Sequence, residues 1–245
     1  MRWYDSWANS TNVLDDPWLW SGSYDVRYEL DGEELVITGE THRLYVSDPE
    51  KERQWGDVEV TVYFKRVADD GIPYSGMTSV VRTNHGVTGD LYEDPCDSRG
   101  LSGRLRNDGR VDFGKESRHP ETESIDARVI WPDGLPTDKW IGYKHIVYDL
   151  PDGSVVQEIW IDRDADDTWV QIAQHIDNGE GWGRSACADG IDPEMALTND
   201  PERAGSESGK PNLSVYFRAD GLWEDGLTYK WASVREIEAP SIEGQ

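Results

Sequence analysis

The sequence predicts an all-β antiparallel sandwich with little helix. Three observations predict it: about a dozen short runs alternate apolar and polar residues, turn dipeptides punctuate them, and no comparable stretch carries a helical period. Twelve Trp and eleven Tyr supply large contact area per residue, which suits a thin core under a broad aromatic surface and argues against disorder.

The elements follow in order. Residues 1–22, with Trp3, Trp7, Trp18 and Trp20, read as an irregular arm packed on the domain. YDVRYEL from Tyr24 and EELVITG from Glu33 are strands around the turn Asp31-Gly32. From Asp57 to Val67, Val58, Val60, Val62 and Phe64 share one face, and Glu59, Thr61, Tyr63 and Lys65 the other. MTSVVRTNH from Met77 is the next strand, and Asp108-Gly109 turns a hairpin. WIGYKHIVYDL from Trp140, VVQEIWID from Val155 and TWVQIAQHI from Thr168 follow, separated by Asp152-Gly153 and an acidic turn. Gly179 to Lys210, rich in Gly, Ser, Asp and Pro, is expected to be a long ordered loop, with one helical turn over Pro193 to Leu197. NLSVYFRAD from Asn212 and TYKWASVREIE from Thr228 close the chain. No linker or repeat interrupts residues 23–240, so one domain is expected, with 241–245 as a tail.

A formal charge of -25 repels nucleic acid and anionic membranes, and no run of about 18 apolar residues offers a helical span. A polysaccharide, acidic in character, is the expected partner, and a monomer the expected state. The acidity is uneven. Between Arg82 and His119, seven Lys or Arg face seven Asp or Glu, against 17 and 42 elsewhere, and such a neutral island is where an acidic ligand would be met. Cys96 and Cys187 sit in Gly/Asp-rich contexts, and a disulfide between them is expected, favouring a secreted protein. The N-terminus lacks the charged-then-apolar pattern of a signal peptide, which leaves export to a segment trimmed from this chain.

A Trp-initiated strand from Lys139 to Leu150, the turn Pro151-Asp152-Gly153, a strand ending in Asp162, an acidic turn and a closing strand ending VREIE form a recognisable cadence. It resembles laminin-G-like and related concanavalin A-like domains over roughly residues 24–238, and the resemblance implies a jelly-roll sandwich. The string VYFRADG is similar to the YFKAG segment of jelly-roll alginate lyases, where a strand Arg or Lys and a nearby Tyr line the substrate groove. The similarity reaches Tyr216, Phe217, Arg218 and Ala219; the family's next tyrosine would fall near Leu222 or Trp223 and is not supplied. Arg82-Thr83-Asn84-His85 stands where that family has Arg-Thr/Ser-Glu-Leu, and Tyr143-Lys144-His145-Ile146 where it has Gln-Ile-His.

A polysaccharide lyase acting on a uronate polymer must neutralise a carboxylate, remove the C5 proton and protonate the leaving oxygen. Candidate catalytic residues are Arg82, Asn84, His85, His119, His145 and Tyr216; candidate substrate-binding residues are Lys115, Tyr143, Lys144, Arg218 and Trp223. In NLSVYFRAD, Tyr216 and Arg218 face away from the core side, made by Leu213, Val215, Phe217 and Ala219. Strand parity puts Arg82 and Asn84 on one face and His85 with Val81 on the other, unless the strand ends at Asn84. It also puts His145 with Ile141 and Val147. Lys115 to Pro120 reads as a charged loop edge bringing Lys115 and His119 to a groove rim.

No cofactor is required by this chemistry. Asp162, Asp164 and Asp166 alternate as oxygen donors for a structural calcium ion, without the Gly and Glu of an EF-hand loop. Glu158, Trp160 and Asp162 share a face, but the Glu-x-Asp-x-x-Glu strand of glycosidases with this fold is absent, which ranks hydrolysis below elimination. The main alternative is a non-catalytic carbohydrate-binding or adhesion module, with Tyr229 and Trp231 stacking on sugar rings. A structural surface protein of the same fold is a third. No phosphate loop, CxxC, HExxH or GxSxG motif occurs.

Overall fold

The computed structural model describes residues 1–22, 24–67, 71–85, 99–182, 196–199 and 212–239. Within strands, the side chains of Tyr24, Ser117, Arg118, Asp126 and Trp223 to Asp225 fall outside that description. Thirteen strands are described: β1 (Arg2–Asp5), β2 (Leu19–Ser21), β3 (Tyr24–Asp31), β4 (Glu34–Ser47), β5 (Val58–Arg66), β6 (Gly76–Thr83), β7 (Gly100–Arg106), β8 (Arg110–Arg118), β9 (Glu121–Val129), β10 (Ile141–Asp149), β11 (Val155–Asp162), β12 (Val170–Asp177) and β13 (Ser214–Glu236). All pairings are antiparallel, in the order β12-β11-β10-β5-β13-β6-β7-β8-β9, with β4 also on β13. The expected all-β jelly roll is therefore the observed fold.

The two C-terminal runs read as separate strands are one. The first part of β13 pairs with β6 and β4, and the second with β5 and, in succession, β4 and β1. Register shifts between Asp220 and Leu227 mark the change, and bulges of this kind bend a strand so that it can serve both halves of a curled sheet. The halves then pack face to face. Tyr143 of β10 donates its hydroxyl proton to the Gly103 carbonyl of β7 (2.7 Å), and a Cβ at Gly103 would lie 3.0 Å from the His145 ring and 3.1 Å from Ile159. Between the halves lie Val60, Val62, Phe64, Leu101, Leu105, Phe113, Val147, Ile159, Val215 and Phe217, all buried, at every second strand position.

The first 22 residues are not an irregular arm throughout. β1 pairs with β13 from Arg2↔Arg235 to Asp5↔Ala232, and β2 pairs with β4. Buried Trp7 stacks on Tyr229 at 6.3 Å. Such short strands carry too few alternations to be read, and edge pairing alone defines them. Pro193 to Met195 and most of the long loop lie outside the described residues, as do Cys96 and Cys187. No described helix is long and apolar enough to cross a membrane.

At Gly39 the backbone takes φ +118°, and a Cβ would approach the Asp25 carbonyl oxygen to 1.9 Å. Gly39→Ala is expected to lower unfolding free energy by about 2–3 kcal/mol, combining left-handed strain with overpacking. Urea denaturation with an unchanged slope checks this.

Candidate functional site

Alternation gives the β6–β9 half a second, outward face. On β7, Leu101 and Leu105 enter the core, while Ser102 and Arg104 line a cavity of about 230 Å³. On β13, Val215, Phe217 and Ala219 enter the core, while Tyr216, Arg218 and Asp220 line the cavity. Thr78, Val80, Glu116 and Thr122 complete the floor, and Tyr74, 58% exposed, stands at the rim. Tyr216 and Arg218 therefore lie on the cleft side, as their parity predicts, but Tyr216 is almost wholly buried there instead of open to solvent.

An aromatic cluster separate from the main core forms one end. Tyr216 lies directly opposite Tyr45 across the β13/β4 pair, with ring centroids 4.6 Å apart, and Trp20 stacks on Tyr45 at 3.8 Å. His85, beyond the end of β6, packs on both tyrosines and places Nδ1 2.8 Å from the Tyr45 hydroxyl. Its Nε2 lies 3.3 Å from His119 Nδ1, which lies 2.9 Å from Glu116 Oε1. Burial, with Arg43 and His119 nearby, pushes the His85 pKa down to about 4 despite the attraction of Glu116, so the ring is neutral at pH 7. Burial pushes the Glu116 carboxyl up, but the hydrogen bond from His119 and the proximity of His85 outweigh it, and the pKa falls below the usual range. Burial raises the Tyr216 pKa strongly, with Glu116 adding to it, so the phenol stays protonated. Burial opposes the Arg218 charge, but Asp220, bound at 3.0–3.1 Å, raises its pKa above the ordinary value. Arg104 likewise pairs through two nitrogens with Asp112 at 2.7 and 2.8 Å.

Of the candidate residues, the fold thus gathers His85, His119, Tyr216 and Arg218. Glu116 and Tyr45 belong to the same constellation. Tyr45 had a readable signal, since it alternates with Leu44 and Val46 along β4, but its meeting with Tyr216 depends on register 171 residues away.

The other candidates lie elsewhere. Arg82 takes φ +49°, which breaks the alternation of β6; its fully buried side chain turns inward to Asp149, Asp57 and the Leu197 carbonyl. The same break lets His85 reach the outer face, reversing the parity expected for the pair. Asn84 is buried and accepts the Arg99 N–H (3.2 Å). His145 is a core residue: it is fully buried, its Nδ1 is 2.9 Å from Ser79 Oγ, and burial pushes its pKa down to about 3. Tyr143 is equally buried and bonds Ser79 and Gly103. Lys115 is not on a loop edge but in β8, on the core side, paired with buried Asp177 at 3.0 Å. Lys144 lies over Trp169 on the opposite half of the sheet. The Trp223 side chain lies outside the described residues. Tyr229, expected on a sugar-stacking face, is fully buried and bonds His42 Nε2 (3.1 Å).

The three alternating aspartates do not converge. Asp162 accepts the backbone N–H groups of Asp164, Asp166 and Asp167 and the Tyr63 hydroxyl, Asp164 pairs with Lys139, and Asp166 caps Thr168. Among the described residues, the one group of three potential metal ligands whose atoms lie within 4.8 Å of one another is His85, Glu116 and His119.

No family model and no curated protein matches the sequence. Solved structures do. The chain aligns over 97% of its length with 91% of the Ca²⁺-bound exoplasmic/lumenal domain of VIP36, at TM-score 0.54 and 10% identity. It aligns over 98% of its length with 99% of peanut lectin, in a complex with a nine-residue peptide, at TM-score 0.51 and 9% identity. The fold is that of a legume-lectin-like sandwich. At such identities the likeness is one of architecture. The mannose-containing ligand of another VIP36 structure, Man3GlcNAc, at TM-score 0.50, belongs to that protein.

Proposed function

We propose that this domain binds carbohydrate, as a non-catalytic module, in the groove over β6, β7, β8 and β13. The observation that carries the reading is the composition of that groove. Arg218 and Asp220, held together, present adjacent donors and acceptors, Ser102, Thr78 and Thr122 add hydroxyl groups, and exposed Tyr74 offers a ring face at the rim. Two cationic side chains, Arg104 and Arg218, are balanced by Glu116 and Asp220, which suits the hydroxyl groups of a neutral sugar better than a uronate carboxylate. The solved carbohydrate-bound VIP36 domain of the same architecture supports the ligand class. An exported location fits this reading.

Calorimetric titration with a panel of neutral oligosaccharides and uronate polymers tests it. Arg218→Ala is expected to weaken binding about 10–100-fold, since it removes a hydrogen bond from a charged donor and frees Asp220. Binding of no glycan, or binding indifferent to Arg218→Ala, would sink the proposal. Binding of a neutral sugar is expected to change little between 50 and 500 mM salt, whereas a uronate polymer would be released.

One observation favours a second reading, β-elimination on a uronate. His85 is neutral at pH 7, hydrogen-bonded to Tyr45, and packs behind Tyr216, which lines the groove with Arg218, so a base, a proton donor and a cation are neighbours. Alginate and polyglucuronate, followed near 235 nm where unsaturated products absorb, decide it. A rise abolished by His85→Ala or Tyr216→Phe would establish the lyase, and binding without that rise leaves the module.

A further inference from the structure

We propose that His85 Nε2, His119 Nδ1 and a Glu116 carboxylate oxygen form a three-residue zinc site beside the groove that Glu116 lines. The inference goes beyond the carbohydrate reading and does not rest on it.

The donor set comes first. Two imidazoles and one carboxylate match the ligand chemistry of Zn²⁺ and related first-row ions, whereas Ca²⁺ takes six to eight oxygen atoms. The spacing agrees. Ligands at about 2.0–2.1 Å from a tetrahedral zinc stand roughly 3.3 Å apart; Nε2 of His85 is 3.3 Å from Nδ1 of His119, which is 2.9 Å from Glu116 Oε1.

Proton arithmetic adds an independent reason. Nδ1 of His119 faces both His85 Nε2 and Glu116 Oε1, yet a ring nitrogen carries either one proton or one lone pair. At best one proton is shared between the two contacts, so neither is a full linear hydrogen bond. A cation between the three atoms satisfies all of them at once, with His85 Nε2 and His119 Nδ1 each using a lone pair.

The surroundings orient the ligands. With His85 Nδ1 protonated and donating to the Tyr45 oxygen at 2.8 Å, the lone pair of Nε2 is directed at His119 and Glu116. Fixing of the tautomer by a second hydrogen bond is the usual support of a metal-bound histidine. Stacking of the ring on Tyr45 and Tyr216 limits its rotation. The site is not sealed, because Glu116 also lines the cavity. Three protein ligands with a fourth position facing a cleft describe a zinc that binds an exchangeable oxygen, from water or from a ligand hydroxyl in the groove.

Zinc titration of the full chain, by calorimetry in millimolar Ca²⁺ to occupy the many surface carboxylates, tests the site. One zinc per chain is expected, with micromolar or tighter affinity weakened at least about tenfold in His119→Ala. Co²⁺ gives a readout that needs no variant: the intense visible bands of a four-coordinate ion should appear and be displaced by one equivalent of zinc. Glu116→Gln, close in volume, should weaken the bands while circular dichroism stays unchanged. Absence of stoichiometric zinc binding, undiminished affinity in folded His119→Ala, or only the weak spectrum of six-coordinate cobalt would overturn the proposal. Arg218→Ala removes a positive charge near the ligands and should not weaken zinc binding, so that failure of sugar binding and failure of zinc binding are read separately.

Discussion

Arg82→Ala is expected to lower the unfolding free energy by about 3–5 kcal/mol, the range for removing one partner of a buried ion cluster. Arg82 is fully buried and holds two carboxylates, Asp149 through Nη1 and Asp57 through Nη2 at 2.9 Å, while Nη1 also donates to the Leu197 carbonyl at 2.8 Å. The carboxylates carry the surrounding segments. Asp57 accepts the Asp149 N–H at 3.0 Å and the Asn199 amide, and Asp149 accepts the Asn199 N–H at 2.9 Å. Without the guanidinium, two partly buried negative charges face each other inside a chain of net charge -25. Arg82→Lys should recover only part of the loss, because an ammonium cannot span both acids and the carbonyl in one plane. Urea unfolding measures both variants. A loss below about 1 kcal/mol for Arg82→Ala would show that the cluster is replaceable. Loss of a catalytic activity with stability intact would return Arg82 to the site.

The second large effect is acid sensitivity above the range where carboxylates titrate. Burial holds His42 and His145 neutral, with pKa values pushed down to about 3 from 6.5. His42 sits between the Tyr28 and Tyr229 hydroxyls, and His145 beside Ser79, inside the core. The unfolded chain protonates both below pH 6.5 while the folded chain does not. Their contribution is therefore complete above pH 6.5 and is lost as pH falls from 6.5 towards 3, by about tenfold in the folding equilibrium per pH unit for each histidine. Self-repulsion among the acidic groups relaxes over the same interval and works the other way, so the measurement belongs in high salt, where that term is screened. Urea midpoints between pH 7.5 and 4.5 should fall steadily in the wild type and less steeply in His42→Gln. A midpoint flat from pH 7 to 5 in high salt would show that these rings are protonated in the fold.

Much of the architecture was legible because a strand's chemistry is local. Val58, Val60, Val62 and Phe64 alternate with polar neighbours, and one-sided burial follows from the pleat whatever the partner strands are. The same rule placed Tyr216 and Arg218 opposite Val215 and Phe217, and His145 in the core. It failed at Arg82, where one left-handed residue exchanged the faces of Arg82 and His85. It failed also at Lys115, whose charged head reads as solvated until Asp177 of β12 meets it across the sandwich. The acidic turn after β11 shows a related ambiguity: alternate carboxylates can bind a cation or cap their own backbone, and Asp162 accepts three N–H groups of its own turn.

By itself the sequence determined which residues form strands, which side of most strands is apolar, and that the chain is acidic with a neutral island. Only the tertiary structure decided the neighbours. His85, Glu116, His119, Tyr45 and Tyr216 come from four strands or their ends, and bends in β13 and the exact register of β4 bring them within contact. The physical reason is that periodicity is a property of a few consecutive residues. Register, bulges and the curl of the sheet are settled by the packing of the whole core.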